Sequence, residues 1–297
     1  MSESCLDFAQ HSQALRREID AALEACAQFD SGCPERLRHA IRHSLLSPGK
    51  RLRPQLVLMA CEACGCDYAK AMPAACAVEM IHTYSLIHDD LPAMDDDDMR
   101  RGLPSCHAKF GEATAILAGD ALLAQSFETL ARGIQPPEAA VQCCAELGAA
   151  AGASALVGGQ SDDLDVESGE RGLEQITAIH ERKTGALFRV SLRLGGLVAE
   201  PSGEQLSALD TYGKNLGLAF QITDDLLDLK GDENDMGKRT QKDAARGKIT
   251  FPGLIGIAES QRRAQAFIDR ACNALVDFGE RASHLRALAR VVIERDR

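Results

Sequence analysis

The sequence predicts an all-α protein, a single bundle of about ten or more helices, and three observations lead there. Only 4% of the residues are aromatic and Trp is absent, while Ala and Leu dominate, a composition that favours packed helices over sheets. Apolar residues recur at near-helical spacing along almost the whole chain, as at Leu15, Ile19, Leu23 and Cys26 on the charged background of residues 6–29. No stretch of alternating β-branched residues competes with that pattern.

The elements follow in order. After 6–29, the stretch from His39 reads as a helix stopped by Pro48 and Gly49. Residues 52–64 and 71–91 are helical and richly apolar. From Leu91 to Cys106 the pattern breaks into a charged loop carrying Pro92 and Pro104. Helical periodicity resumes over 111–132, 137–157, 172–198, 203–229, 253–277 and 280–295. Several of these segments are apolar on most faces, which requires a place at the centre of a bundle. The polar, Gly-rich segments 158–171 and 230–250 read as loops longer than usual helix connections, the kind that serve as lids or binding loops. With no low-complexity linker, residues 1–297 are expected to form one domain.

A formal net charge of −11 and a pI near 5.2 argue against non-specific nucleic-acid binding and against docking on anionic lipid. No apolar run approaching ~20 residues stands out as a membrane span, and MSESCLDFAQHSQALRREID lacks a charged-then-apolar signal pattern. The expectation is a soluble, cytoplasmic protein. Eleven cysteines, an odd count, fit free thiols better than a disulfide framework. Cys61, Cys64 and Cys66 could supply three zinc ligands, but no partnering pair with ligand spacing follows nearby; they read as small apolar residues at a helix end, as do Cys143 and Cys144 in their helix.

Two acidic clusters carry the chemistry. IHTYSLIHDDLPAMD (81–95) and GLAFQITDDLLDLKGD (217–232) each put carboxylates at the end of an apolar helix, where the helix dipole is already negative. In the second, Gln221, Asp224, Asp225 and Asp228 fall at i, i+3, i+4 and i+7, one stripe of an otherwise apolar helix. In the first, Asp89, Asp90 and Asp95 to Asp98 crowd six carboxylates into ten residues, and Pro92 ends the helix so that the chain can turn and bring Asp95 back towards Asp89. Such clusters need a cation, and oxygen donors without His or Cys suit Mg²⁺, with Mn²⁺ as a substitute. Mg²⁺ held by a few carboxylates keeps positions for substrate phosphates. The basic residues point the same way: Gly49-Lys50-Arg51-Leu52-Arg53-Pro54 is a compact basic loop opening a helix, Arg100 and Arg101 follow the first acidic loop, and Lys183 and Lys238 lie in or near later helices. His82 lies seven residues before Asp89, on the same helix face. Two acidic platforms and separate basic groups suit two phosphorylated substrates, one held through metal and one held directly.

At this point the chain resembles the trans-isoprenyl diphosphate synthases, most closely the bacterial farnesyl diphosphate synthases. The segments that carry the resemblance are GKRLRP (49–54), EMIHTYSLIHDDLPAMDDDDMRRGLPSCH (79–107), ILAGDALL (116–123), GGQSDDL (158–164), KTGALF (183–188), FQITDDLLD (220–228) and Gly237-Lys238. The resemblance implies a helical bundle around a deep central cavity, as a homodimer. It implies Mg²⁺, more than one ion, on Asp89, Asp95, Asp224 and Asp228. Gly49, Lys50, Arg53, His82 and Arg101 would hold isopentenyl diphosphate, and Arg100, Lys183, Thr184, Gln221 and Lys238 the allylic diphosphate. Of these, Asp89, Asp95, Arg100, Lys183, Asp224 and Lys238 would serve catalysis. The implied reaction is ionisation of the allylic diphosphate, condensation and proton loss, giving farnesyl diphosphate from dimethylallyl and geranyl primers. Tyr84, five residues before Asp89, with Ser85 beside it, would form the floor that sets chain length. Helical spacing alone puts Tyr84 well round from Asp89, so that role comes from the resemblance. Where the family often has a glycine near position 241, this chain has Gln241. Alternatives are a geranylgeranyl or geranyl diphosphate synthase and, more remotely, a class I terpene cyclase or a non-catalytic partner subunit.

Overall fold

The computed structural model describes residues 3–165, 172–230 and 250–294, and almost all of them are helical. Helices α1 (Glu3–Cys26), α2 (Glu35–Leu45), α3 (Leu52–Ala63) and α4 (Met72–Asp89) come first. Where the sequence suggested a charged loop there is a two-residue-per-strand hairpin, β1 (Met99–Arg100) with antiparallel β2 (Leu103–Pro104), and then a short helix, α5 (Cys106–Phe110). Next come α6 (Glu112–Gly133), α7 (Pro137–Ala151), α8 (Leu156–Leu164), α9 (Leu173–His180), α10 (Ala186–Val198) and α11 (Gly203–Lys230). The chain closes with α12 (Phe251–Ile255), α13 (Ile257–Ala274) and α14 (Ser283–Glu294).

Helices α3, α4 and α10 occupy the middle. On α4, Ala74 to Ile81 form an unbroken buried run, followed by Thr83, Tyr84 and Ile87, so the helix meets protein on nearly every side. It packs against α3, α6 and α10, while α10 also packs on α7 and α11. Gly195 sets the α3–α10 distance: a Cβ there would lie 2.0 Å from the Val57 carbonyl oxygen, so the two backbones touch. Outer helices show the expected division of faces; α14 buries Leu285, Leu288, Ala289 and Val292 and exposes Arg290, Val291 and Glu294.

The structure corrects four sequence boundaries. Residues 156–164, read from 158 onward as loop, form α8. The segment 172–198 is not one helix: Glu181–Gly185 is a wider π-helical turn between α9 and α10. The segment 253–277 breaks at Gly256 (φ +77°), and 280–295 begins as a 3₁₀ stretch over Val276–Ala282. Pro137–Leu164 is apolar enough by composition for a membrane span. Its backbone nevertheless breaks between α7 and α8, and Cys143, Leu147 and Ala151 are buried in the core. Cys61, Cys64 and Cys66 sit where α3 ends, Cys61 fully buried and the other two half-buried.

Candidate active site

The site lies where the C-terminal half of α4, the segment entering α3, the β-hairpin, the π-helical turn and α11 converge. Below Asp89 the chain reverses tightly. The Asp95 N–H donates to the Asp89 carbonyl at 2.8 Å, and the Asp97 N–H donates to the Asp90 carbonyl at 3.1 Å. Asp95 therefore returns beside Asp89, as Pro92 led us to expect. The turn needs a left-handed residue, and Asp96 takes that conformation at φ +51°. Burial, together with Asp95 and Asp90 alongside, pushes the Asp89 carboxyl up to about 6, although Lys183 and Arg100 draw it down. The charge of Lys183, on the π-helical turn, thus acts on the first cluster. Its ammonium donates to Asp163 Oδ2 of α8 at 2.6 Å.

Asp90 and Asp97 turn inward instead. Both are buried, and Arg100 Nε donates to Asp90 Oδ1 at 2.9 Å while its guanidinium lies 3.8 Å from Asp97. Burial works against the Arg100 charge, but the bonded Asp90 and nearby Asp97 raise its pKa on balance.

A second group of cations surrounds His82. Arg53 approaches His82 Nε2 to 3.3 Å and lies over the Phe188 ring, 5.1 Å from its centroid. Burial, reinforced by Arg53, Arg101, Arg100 and Arg51, keeps the His82 imidazole neutral, far below its usual range. Arg53 itself is lowered to about 10, by burial first and then by Arg101, while Glu79 and Asp224 support its charge. Its Nε is buried without a hydrogen-bond partner. Arg101, at φ +52°, donates weakly to Ser47 Oγ at 3.3 Å and occupies the space above Gly49, where a Cβ would meet its guanidinium at 2.8 Å. Lys50 is exposed. Arg51 is not part of this group. At φ +50° it turns into the core, bonding Asp20 at 2.8 Å, Glu79 at 2.7 Å and the Ser47 carbonyl at 2.9 Å.

On α11 the stripe divides. Asp224 is exposed, and its charge acts on Arg53, while Asp228 is half-buried. Asp225 is buried and accepts from the Gln221 amide at 2.9 Å and from the Phe251 N–H of α12 at 3.0 Å. Thr184 donates to Gln221 Oε1 at 3.1 Å, which ties the π-helical turn to α11. Tyr84 is buried on α4 with its ring edge-on to His88 at 5.7 Å, and burial with Asp89 nearby raises its phenol pKa. Ser85 donates back to the His82 carbonyl at 2.9 Å. Lys238 and Gln241 lie outside the described residues.

Two clusters of hard oxygen donors thus share one electrostatic neighbourhood, joined through Lys183 and Arg100 on one side and Arg53 on the other. A raised carboxyl at Asp89, held against Asp95 by the backbone turn, is what a divalent ion of the Mg²⁺ type would relieve, so the donor set fits such an ion. The sequence pattern of the polyprenyl synthetase family matches residues 34–281. The chain belongs to that family. It is a trans-prenyltransferase by that membership. Farnesyl diphosphate synthase of Escherichia coli (strain K12) is 42% identical over 98% of this chain and 100% of that protein. Geranylgeranyl pyrophosphate synthase 11 of Arabidopsis thaliana is also 42% identical, over 96% of this chain and 82% of that protein. A solved FPP/GFPP synthase from Zymomonas mobilis superposes with a TM-score of 0.87 at 34% identity, covering 97% of this chain and 99% of that one.

Sequence reasoning gave no role to Glu79 or Asp163 and counted Asp225 only among the carboxylates of the cation-seeking stripe, whereas these three acids orient the cations and the amide. Asp163 stands in the GGQSDDL segment and Asp225 in the acidic stripe, so each was in view. Glu79 had a fainter signal, a lone acid in an otherwise apolar helix run.

Proposed function

We propose that this prenyltransferase is Mg²⁺-dependent and condenses isopentenyl diphosphate with dimethylallyl and then geranyl diphosphate, giving farnesyl diphosphate. The observation that carries this reading is the continuous charge neighbourhood from Asp89 through Lys183 and Arg100, and from Asp224 through Arg53 to Arg101 and His82. Asp89, Asp95, Asp224 and Asp228 are the groups that would hold metal. When bound, the ions would neutralise the charge that grows on the allylic diphosphate as its C–O bond breaks.

The chain's own residues do the rest. Arg100, Lys183 and Lys238 donate to the allylic diphosphate oxygens, with Thr184 and Gln221 fixing the pocket edge. Lys50, Arg53 and Arg101 bind the isopentenyl diphosphate, and neutral His82 donates one N–H rather than adding charge. Gly49 leaves the room Arg101 occupies. The allylic C1–O bond breaks with its electron pair leaving on diphosphate, and the isopentenyl double bond supplies the pair for the new C–C bond. The proton then lost passes to the released diphosphate. Donors set in advance around the departing oxygens are worth more in this buried site than in water. Apolar walls that include Phe188 keep water from the cation.

Tyr84 is the residue we propose as cavity floor, with Ser85 beside it. A geranylgeranyl product is the second reading, favoured by the name of one of the three relatives cited above, the Arabidopsis thaliana synthase. The homodimer belongs to the same proposal: Ile116, Leu117 and Val141 are exposed apolar residues on α6 and α7 that a second copy would cover, to be checked by sedimentation. The deciding experiment supplies Mg²⁺, isopentenyl diphosphate and dimethylallyl diphosphate, removes the phosphates from the products and identifies the alcohols by mass. Farnesol supports the whole reading, geranylgeraniol removes the chain-length assignment, and no condensation with either a C5 or a C10 primer refutes the activity.

A further inference from the structure

Away from the aspartate clusters, the first helix, the end of α3 and the first turn of the last helix bring two histidines and two acids together. His11 of α1 and His284 of α14 stack with ring centroids 3.9 Å apart and planes 17° from parallel. His11 Nε2 lies 3.0 Å from Glu62 Oε2 of α3, and His284 Nε2 lies 3.4 Å from Asp7 Oδ2 of α1. One donor atom from each of His11, Glu62 and His284 falls within 4.8 Å of the other two. These three side chains are mostly shielded, at 19, 25 and 26% exposure, whereas Asp7 is largely open at 74%.

We propose that His11, Glu62 and His284, with Asp7 as a fourth donor, form a binding site for a transition ion of the zinc class. Two imidazoles stacked this closely cannot both carry a proton without repulsion, yet each has a carboxylate at its Nε2. One divalent ion satisfies all four groups at once. Four donors around a tetrahedral ion with bonds of about 2 Å stand about 3.3 Å from one another. The 3.0 and 3.4 Å contacts bracket that spacing, and small side-chain rotations close the remainder. Imidazole donors select zinc-class ions over Mg²⁺, so this site and the all-carboxylate clusters differ in what they take. The ion would clamp α1 and α14 to α3. This inference is independent of the proposed activity.

Zn²⁺ is titrated into the full-length protein in millimolar Mg²⁺, which occupies the carboxylate clusters, against a chromophoric chelator. Wild type should take one tight equivalent and gain melting temperature. His11→Ala and His284→Asn should each bind at least ~10-fold more weakly and lose the gain in melting temperature, with prenyl transfer in Mg²⁺ unchanged. Co²⁺ should give the intense visible bands of a four-coordinate nitrogen-containing site in wild type and not in either variant. Zinc uptake and Co²⁺ bands identical in all three proteins, or no equivalent beyond what Mg²⁺ displaces, would overturn the site. Failure of prenyl transfer in wild type would refute the proposed activity and leave the zinc result standing.

Discussion

Glu79 is the buried acid beneath the arginines, and replacing it with Gln is the most telling perturbation. The residue is 1% exposed, it bonds Arg51 at 2.7 Å, and its charge also supports Arg53 and Arg101. Asp20, the other partner of Arg51, is 46% exposed and well screened. Removing one member of a buried ion pair costs about 3–5 kcal/mol, and because Gln can still accept one bond the lower end, about 3 kcal/mol, applies. At about 2 cal/mol/K per residue, a chain of this length has an unfolding entropy near ~0.6 kcal/mol/K, so the melting temperature should fall by about 5 °C. Scanning calorimetry measures it. Millimolar inorganic diphosphate should then raise the melting temperature more in Glu79→Gln than in wild type, because it meets cations that have lost their internal counter-charge. A fall of under about 1 °C, or equal stabilisation by diphosphate, would refute the idea that Glu79 neutralises this cluster.

Tyr84→Ala should lengthen the product, read as a shift from farnesol towards geranylgeraniol after dephosphorylation; an unchanged product removes Tyr84 as floor. Asp225→Ala leaves the Gln221 amide and the Phe251 N–H without their acceptor, so we expect about 2–4 kcal/mol of lost stability by denaturant titration and a higher KM for the allylic primer with little change for isopentenyl diphosphate. Gly195→Ala forces a methyl to within 2.0 Å of the Val57 carbonyl, and the backbone shift should cost about 3 kcal/mol or more, visible as a lower urea midpoint at unchanged slope. Chelation with EDTA should abolish condensation, Mg²⁺ should restore it, and Asp224→Ala should raise the Mg²⁺ concentration needed.

Much of this was legible in the sequence because helices repeat with a fixed period. The spacing of Gln221, Asp224, Asp225 and Asp228 predicted one stripe, and the return of Asp95 to Asp89 followed from Pro92. What could not be read was which way each member of a cluster turns. Lys50, Arg51 and Arg53 looked like one basic loop. Yet the left-handed backbone at Arg51, which no sequence rule demands of an arginine, sends it into the core and leaves Arg53 for the site. Likewise Asp225 is drawn inward by the Phe251 N–H, a partner 26 residues away that periodicity cannot foresee. Residues 158–164 looked like loop by composition and became helix, as tertiary context overrides local preference.

The wide turn at Glu181–Gly185 holds one residue more than a regular helical turn would. Each residue of an α-helix advances its side chains by about 100°, so that extra residue works as a rotational offset between α9 and α10. It lets α10 keep its apolar face on α3 while Lys183 and Thr184 point elsewhere, at Asp163 and Gln221. A single-residue deletion here would leave every hydrophobic residue of α10 compatible with its packing and yet swing the two polar groups out of phase. The position therefore behaves like a key cut: neutral to the fold's chemistry, decisive for which way the lysine faces.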